Sequence, residues 1–507
     1  MTATDESLAA GVGFRSERGP VLIGLMMSTA LVALDATIIA TAVPSVVRDL
    51  GGFAQFPWLF SIYLVTQAVT VPIYGKLADI VGRRPVLFAG IGIFLFGSVL
   101  CGVAWSMPLL IAARAVQGIG AGAVLPMTIT IVGDLYSVAE RSKVQGYVAS
   151  VWGIASVVGP TLGGVFSDYI SWRWIFFVNI PLGGLAAVLL WRSFHEKIER
   201  REHQIDYLGA ALLTIGCSVL ILGLLEGGVA WDWSSATGIA VFVVGALALV
   251  GFVAVEQRAP EPVLPLWVFS RRVLIGGNLA GLAIGVVLIG LSSYIPTYSQ
   301  GVLGSSALVA GLALAGMTLG WPLSAAYAGR AYLRVGFRTT AMAGSVIVVL
   351  GAVLVTLLGA GSSVWTVAAA TFVVGLGLGL MSAPTIVAVQ SVVDWERRGV
   401  VTATNMFCRN IGSAVGVAIF GAVANARLSD RLSHPPAALA GRLPPTSRAE
   451  RLALSKTAAA KAPADVLDYV RGALFDASHH VFVGVLIASI AGVAVLWLMP
   501  RKTVPLT

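Results

Sequence analysis

The chain has 507 residues, of which 57% are hydrophobic and only 11% are charged, and its formal net charge is +9. Soluble domains carry roughly 25% charged residues, so the composition excludes an ordinary soluble protein and predicts one that crosses a membrane many times. The three cysteines, Cys101, Cys217 and Cys408, all lie in apolar segments, which argues against a disulfide framework or a metal site.

Apolar runs of about 20 residues, each long enough to cross a ~30 Å hydrocarbon core as a helix, recur along the chain. Fourteen are predicted, at 20–43, 57–75, 86–104, 108–131, 143–168, 174–192, 206–226, 236–255, 273–297, 305–328, 337–358, 364–387, 400–423 and 479–498. The first is too long for a signal-peptide core and is predicted to be an uncleaved span. The expected fold class is an all-α integral membrane protein.

Lys and Arg are distributed unevenly between the two sides of these spans. With the N-terminus inside, the inner segments carry 21 of them, and the short outer loops carry two, Arg48 and Arg173. Cytoplasmic loops of membrane proteins carry an excess of such cations, so both termini are predicted to be cytoplasmic, in a plasma membrane of the bacterial inner-membrane kind. The net positive charge is then explained by the attraction of these cations to the anionic lipids of the inner leaflet. The lipid bilayer is the expected partner, and nucleic acid is not.

One loop sequence occurs twice in the chain. Gly75–Arg84 reads GKLADIVGRR and residues 329–338 read GRAYLRVGFR, with Leu333 in the second copy where the first has Asp79. The first copy follows the second predicted helix and the second follows the tenth. This displacement predicts a duplicated transporter, with two six-helix bundles separated by two additional helices.

The predicted domains follow from that repeat. They are a cytoplasmic tail at 1–19, an N-terminal bundle at 20–194, a linker with two inserted helices at 195–262, a C-terminal bundle at 263–500 and a tail at 501–507. The C-terminal bundle contains a long outer loop at 424–478, whose proline-containing middle is typical of loosely ordered chain. Residues 464–475 predict a short amphipathic helix on the outer leaflet or over the exit path. A loop helix without function is the alternative.

The first loop copy combines an acid with cations and paired glycines, at Gly75, Asp79, Gly82, Arg83 and Arg84. The Asp79 carboxylate can pair with Arg83 or accept hydrogen bonds from backbone amides at a neighbouring helix start. The pattern predicts a conformational latch that joins the inner ends of the two halves. The alternative is that the cations only anchor the topology.

Four further stretches resemble signatures of the major facilitator superfamily. Residues 110–122 resemble its Arg-Gln-Gly signature, and residues 159–164 resemble the segment associated with its drug exporters. Residues 34–44 and 172–183 look like signatures of its fourteen-helix drug:proton antiporter branch. The resemblance implies the major facilitator fold and a multidrug exporter driven by the proton gradient, with no other cofactor. It departs at Ala155, where the exporter segment often has Gly, and in the degenerate second loop copy.

The exporter-like segment contains Gly159, Pro160, Gly163 and Gly164 in the predicted fifth helix. Proline deletes a backbone hydrogen bond and bends a helix, and small residues four apart allow another helix to approach closely. These residues predict a hinge-like seam, for which plain helix packing is the alternative. The family resemblance favours an outer gate.

Two charges lie at matching predicted depth, Asp35 in the first helix and Arg114 in the fourth. A charge inside a membrane is costly unless it is paired or functional. If both face one cavity, Asp35 is a candidate proton-coupling site and Arg114 is the cation that tunes it. A permanent structural ion pair is the alternative. Asp134 and Glu226 lie at helix boundaries, where solvation accounts for them.

Arg409 lies near the middle of the thirteenth span, one turn after Asn405. Both are predicted to line a substrate cavity, in which Arg409 would contact an anionic headgroup or a carboxylate. A structural arginine satisfied by backbone carbonyls is the alternative. Further aromatic and amide candidates for that cavity are Tyr63, Gln67, Trp152 and Tyr294.

These features predict a proton-coupled exporter of hydrophobic or amphiphilic compounds that works by alternating access, with no catalytic residue. The alternative is an exporter or flippase of a native lipid or glycolipid, and an accessory envelope protein is left open as a partner. No Gly-Lys-Ser/Thr phosphate-binding loop occurs, which excludes direct ATP drive. All five histidines fall in loops or at a helix end, which argues against an intramembrane enzyme. A nutrient importer is disfavoured by the exporter-like fifth helix.

Overall fold

The structure, a computed structural model, describes residues 12–50, 58–196, 206–228, 231–260, 262–305, 307–436, 439, 442–443 and 462–501. Long helices dominate these residues. In chain order they are α1 (Gly19–Leu50), α2 (Trp58–Val81), α3 (Arg83–Gly102), α4 (Met107–Leu135), α5 (Val138–Val165), α6 (Trp174–Ser193), α7 (Tyr207–Glu226), α8 (Ala236–Glu256), α9 (Arg272–Gly301), α10 (Ala307–Val335), α11 (Phe337–Thr356), α12 (Val364–Ser391), α13 (Arg398–Ser433) and α14 (Ala464–Leu496). Short helical turns occur at Phe166–Ile170, Leu266–Phe269 and Trp395–Arg397.

Within the described residues, thirteen helices are long and apolar enough to cross a membrane. The helix α5, of 28 residues, has a comparable length and brings the set of long helices to fourteen. No strand is assigned in the described part of the chain, apart from one isolated bridge between Gly227 and Trp231. The predicted all-α membrane fold is therefore confirmed.

The helices pack as two groups and a pair. In the first group, α4 packs on α2 and α3, and α1 packs on α5 and α6. In the second group, α12 packs on α10 and α11, and α9 packs on α13 and α14. The groups meet where α5 contacts α10 and where α2 contacts α13. The helices α7 and α8 pack on each other, and α7 touches α2 and α13 at the edge of that second seam.

Two glycines make the matching turns of the repeated loop. Gly82 precedes α3 with φ 99° and ψ 160°, and Gly336 precedes α11 with φ 88° and ψ 160°. This backbone region is open to glycine and almost closed to other residues. The two loop copies therefore share one backbone geometry, although the second lacks the acid of the first.

One end of the bundle carries both of these turns. Arg18 pairs with Glu140, Arg83 pairs with Asp134, and the Tyr332 hydroxyl donates to a carbonyl at the start of α5. The junctions α2–α3, α4–α5 and α10–α11 thus lie together beside the start of α1. We call this end the inner face, after the predicted topology, and the opposite end the outer face.

The last two helices differ from the prediction. The helix α13 has 36 residues and α14 has 33, so each spans roughly 50 Å, well beyond a ~30 Å hydrocarbon core. The prediction of a separate amphipathic helix at 464–475 is wrong, because these residues form the first turns of α14. Their apolar side chains, Val466, Val470 and Leu474 among them, pack into the core of the second group rather than on lipid. Most of the segment between 437 and 461 lies outside the described residues.

Candidate functional site

The Asp35 carboxylate lies at the centre of a buried polar cluster in the first group of helices. Arg114 Nη1 donates to Asp35 Oδ2 at 2.6 Å. The amide of Gln117 donates to Asp35 Oδ1 at 2.7 Å, and that of Asn179 donates to the same oxygen at 3.3 Å. Ser98 Oγ accepts hydrogen bonds from both amides. Four helices, α1, α3, α4 and α6, therefore meet at one carboxylate.

Arg114 is held on every side. Besides Asp35, its guanidinium donates to the Gln117 side-chain oxygen at 2.7 Å and to the Leu59 carbonyl at 3.2 Å. It also lies 4.1 Å from the centre of the Tyr63 ring, a cation–π contact. Both members of the ion pair are only 1% exposed. The structure thus brings Asp35 and Arg114 together as expected, but it encloses them within one group of helices rather than on the wall of an open cavity.

At the inner face, Asp79 of the first group of helices forms hydrogen bonds with the second group. Its carboxylate accepts hydrogen bonds from the backbone amides of Gly399 at 3.1 Å and Val400 at 2.9 Å, the first residues of α13 after Arg398. It also pairs with Arg83 at 3.0 Å. The N-terminus of a helix has free amides and a partial positive charge. Asp79 of α2 thereby caps α13.

Arg83 is the centre of this inner-face network and is 1% exposed. Its Nη2 donates to the Trp395 carbonyl at 2.6 Å, and its guanidinium lies 3.9 Å from the centre of the Trp395 ring. Its Nε donates to Asp134 at 3.1 Å. Glu196 accepts from the Arg83 backbone amide at 3.1 Å. One arginine of the first group thus contacts the turn that precedes α13 in the second.

The other residues of the expected latch have different partners. Gly75 lies against α13, where an added Cβ would overlap the Ala403 side chain and come within 3.1 Å of the Gly399 carbonyl. Arg84 donates to the Trp191 carbonyl at 3.1 Å, within its own group of helices. Gly75, Asp79 and Arg83 therefore face the second group, Gly82 makes the turn, and Arg84 holds the end of α6.

Further hydrogen bonds join the two groups at the same face. Arg398 of α13 donates to Asp134 at 3.3 Å, and Gln390 of α12 donates to the Ile129 carbonyl at 3.3 Å. The Tyr332 hydroxyl of α10 donates to the Val138 carbonyl. Together with the contacts of Asp79 and Arg83, these hydrogen bonds join the two groups of helices at the inner face.

The expected outer-gate residues lie along α5. An added Cβ at Gly159 would overlap the Thr37 side chain of α1, and Thr37 Oγ1 donates to the Ala155 carbonyl at 2.9 Å. Gly163 is buried, whereas Gly164 has open space beside it. The side chain of Pro160 lies outside the described part of the structure. The close approach of α5 to α1 therefore occurs at Gly159.

The expected cavity residues separate into two sets. Tyr63, Tyr294 and Asn405 are used in packing: Tyr63 covers Arg114, Tyr294 donates to the Phe420 carbonyl at 3.1 Å, and Asn405 donates to the Gly277 carbonyl at 2.7 Å. The second set remains accessible and consists of Gln67, Trp152 and Arg409.

Sequence reasoning missed several members of both clusters. Gln117 and Asn179 lie within the signature-like stretches 110–122 and 172–183, from which no separate role was predicted for them. An amide inside an apolar helix nevertheless indicates a buried polar partner. Asp134 lies at the end of α4 as predicted, but solvation does not account for its charge, because its carboxylate is largely buried and pairs with Arg83 and Arg398. In the described residues, no group of three or more His, Cys, Asp or Glu could hold a metal ion.

Comparisons with known proteins bear on the whole chain. Residues 25–417 match the family model described as Major Facilitator Superfamily. The chain is 32% identical to the multidrug transporter protein MdtP of Bacillus subtilis (strain 168), with 97% of this chain and 94% of that protein covered. It is 35% identical to multidrug resistance protein 3 of the same organism, with 82% and 81% covered.

A solved structure shares the fold. The human organic anion transporter MFSD10 (TETRAN) superposes with a TM-score of 0.61, covering 93% of this chain and 99% of that one, at 14% sequence identity. At this identity the likeness concerns the helical architecture alone.

Proposed function

Because the chain belongs to the major facilitator superfamily, we propose that it exports hydrophobic or amphiphilic compounds by alternating access, driven by inward movement of protons. The family match and the names of the relatives identify the chain as a multi-pass membrane transporter and not an enzyme. Two relatives whose names denote multidrug transport and multidrug resistance support export as the direction of transport.

The observation that carries the proton coupling is the Asp35–Arg114 pair. Both oxygens of the acid accept hydrogen bonds, from Arg114, Gln117 and Asn179. Protonation of this carboxyl group removes the negative charge that pairs with Arg114 and leaves a buried guanidinium without a counter-charge. Protonation of Asp35 therefore favours a rearrangement of α1 against α4. Coupled transport requires that protonation and conformation depend on each other in this way. The proton gradient is the energy source in this proposal, with no further cofactor.

Alternating access is supported by the network at the inner face. Asp79, Arg83 and Arg398 join the two groups of helices at that face. An interface held by discrete hydrogen bonds can exist in closed and open arrangements, and a rocking motion of one bundle against the other would switch between them. In this proposal the structure represents the state that is closed towards the cytoplasm.

The orientation of the chain belongs to the same proposal. The inner face carries most of the Lys and Arg residues of the short loops, and such an excess marks the cytoplasmic side. We therefore place both termini in the cytoplasm of a bacterial cell, with the protein in the inner membrane. Substrate would then be released at the outer face or into the outer leaflet.

Transport in proteoliposomes tests this function directly. The purified protein is reconstituted, a pH gradient is imposed, and the uptake of a panel of lipophilic dyes and fluorescent lipids is followed with and without a protonophore. We expect gradient-dependent movement of at least one amphiphilic compound and its loss when the protonophore is added. Transport that is unchanged by the protonophore would contradict proton coupling. Movement of labelled lipids alone would favour the lipid exporter over the multidrug exporter.

A further inference from the structure

The second group of helices contains an unbalanced charge. Between Arg272 and Asp430, the only acidic residues are Asp394 and Glu396, and both lie in the turn before α13. The helices α9 to α12 and the membrane part of α13 therefore contain no carboxylate. The acids of α14, Asp465, Asp468 and Asp476, all lie in its first thirteen residues, at the outer end of that helix. Arg409, in the middle part of α13, therefore has no acid of its own group at its level in the bundle.

Arg409 lies deep in the bundle. It is eleven residues past the start of α13, about 16 Å along the helix axis, which places it near the middle of a ~30 Å hydrocarbon core. Its side chain is only partly buried, and among the described residues no hydrogen bond or ion pair reaches its guanidinium and no charged group acts on it. This differs from Arg114, whose guanidinium contacts Asp35, Gln117, the Leu59 carbonyl and the Tyr63 ring.

The neighbours of Arg409 on α13 define where it lies. Asn405, one turn earlier, is bound to α9, and Met406 packs among buried residues of the first group. Residues three and four apart share one face of a helix. Arg409 therefore lies on the face of α13 between α9 and the first group, towards the interior of the protein.

A second donor lies beside it. Asn410 is also partly buried, and its side-chain amide makes no hydrogen bond among the residues that the structure describes. By contrast, Asn405 and Ser413 use their polar groups on carbonyls of α9. Among the described residues, one guanidinium and one amide thus have no hydrogen-bond partner at the same level of α13.

We propose that Arg409, with Asn410 beside it, binds the anionic group of an amphiphilic substrate, a carboxylate or a phosphate. This proposal rests on the proposed export function and names the substrate class. An unpaired cation inside a membrane is expensive, and an anionic ligand would remove that cost when it enters. The planar guanidinium suits the two oxygens of a carboxylate or phosphate. Asp35 does not serve as the counter-ion, because Arg114 occupies it.

The anionic group has two sources, a dissolved amphiphilic acid or a membrane lipid with a phosphate headgroup. Both present the same chemistry to Arg409, and both carry an apolar part. In this proposal Arg409 selects substrates by the negative charge of their polar group, and the apolar part of the substrate can vary.

Equilibrium binding of a matched pair of ligands tests this assignment. The pair is a dansyl-labelled fatty acid and its methyl ester, which differ in the negative charge and in one methyl group. Binding is measured by dansyl fluorescence on the purified protein in phosphatidylcholine nanodiscs, without a pH gradient. We expect the wild-type protein to bind the acid more tightly than the ester. In Arg409→Gln the acid should lose roughly tenfold or more in affinity, while the ester is unchanged.

Two variants serve as controls. Arg409→Lys keeps the charge without the fork and should retain part of the preference for the acid. Arg427→Gln removes an exposed cation from the outer part of the same helix and should bind both ligands as the wild type does. Melting temperatures of all variants establish that each is folded. Equal affinity of the wild type for acid and ester, or an equal loss of both in Arg409→Gln, would overturn the assignment.

The source of the anion is decided by the lipid of the nanodisc. If phosphatidylglycerol lowers the apparent affinity for the labelled acid relative to phosphatidylcholine, and does so only when Arg409 is present, the lipid headgroup occupies this site. If it has no such effect, dissolved acids are the substrates. Because binding needs no gradient, failure of this test leaves proton-driven export of neutral compounds intact, and failure of coupling leaves this test valid.

Discussion

The Asp35 cluster shows how hydrogen bonds and an ion pair stabilise one buried charge inside a helical bundle. Asp35 is 1% exposed, and three different side chains donate to its two oxygens. Removing one member of a buried ion pair is costly because the other charge is left without a partner. A structural pair and a proton carrier both predict that single substitutions destabilise the protein, so the stability of single variants does not separate the two roles.

A double substitution separates these roles. We expect Asp35→Asn and Arg114→Gln each to lower the free energy of unfolding by about 3–5 kcal/mol, and the double variant to recover most of that loss because no buried charge remains. Proton-driven export should be absent from Asp35→Asn and from the double variant, while exchange of substrate down its own gradient persists. Melting temperature and proteoliposome transport are measured together. A double variant with restored pH-driven export would show that Asp35 does not carry the proton.

Gly82 and Gly336 provide a test of the repeat at single-residue resolution. Both have positive φ with ψ 160°, a region almost limited to glycine, so Ala at either position should destabilise by about 1–3 kcal/mol. Gly92→Ala is the matched control, because Gly92 lies in α3 with open space around it. It should be neutral or slightly stabilising. Thermal unfolding in detergent measures all three, and a tolerated Ala at position 82 or 336 would contradict the strained turn.

At the scale of helices, hydropathy predicted the elements well because a span must be apolar along its whole length. It failed where helices leave the membrane. Hydropathy predicts an outer loop at 424–478, yet Arg431 of that segment belongs to α13 and pairs with Asp476 of α14 at 3.2 Å. Helices that pack on each other outside the bilayer can carry such pairs, and no single-sequence pattern contains that tertiary contact.

The candidate site was predictable to a similar degree. A charge inside an apolar run identified Asp35, Arg114 and Arg409. The partners of these charges were not predictable, because Gln117 and Asn179 reach Asp35 from helices far away in the chain. The same reason accounts for Asp79, whose amide partners Gly399 and Val400 lie 320 and 321 residues away.

The contact between Asp79 and the start of α13 predicts a shift of conformation. Asn at position 79 has one acceptor oxygen in place of two and no charge for Arg83. We expect Asp79→Asn to reduce the ratio of inner-closed to inner-open protein by a factor of about 5–150, with slower transport and nearly unchanged substrate affinity. Spin labels at the inner ends of α5 and α10 report the ratio.

The control for Asp79 is Asp49→Asn. Asp49 pairs with Arg173 at the outer face within the first group of helices, so its substitution removes an aspartate without touching the seam between the groups. The spin-label distances should then match those of the wild type. An inner-closed population that is the same in Asp79→Asn and wild type would refute the latch.

At the scale of the whole molecule, the seam between α5 and α10 must open at the inner face if access alternates. Gly146 of α5 lies against Ala326 of α10, with an added Cβ at 3.0 Å from the Ala326 Cβ. That is near the ~3.8 Å Cβ separation of a disulfide. In a background with Cys101, Cys217 and Cys408 replaced by Ala, we expect Gly146→Cys with Ala326→Cys to cross-link on oxidation.

The cross-link should stop transport by trapping the inner-closed state, and a reductant should restore it, because opening requires this seam to separate. Gly90→Cys with Ala123→Cys is the matched control, since these residues face each other between α3 and α4 of one group and move together in a rocking motion. Its disulfide should leave transport largely intact. Proteoliposome transport before and after reduction decides the matter. Full activity of the oxidised Gly146–Ala326 pair would mean that the two groups transport without separating at α5 and α10, and rigid-body alternating access would fail for this protein.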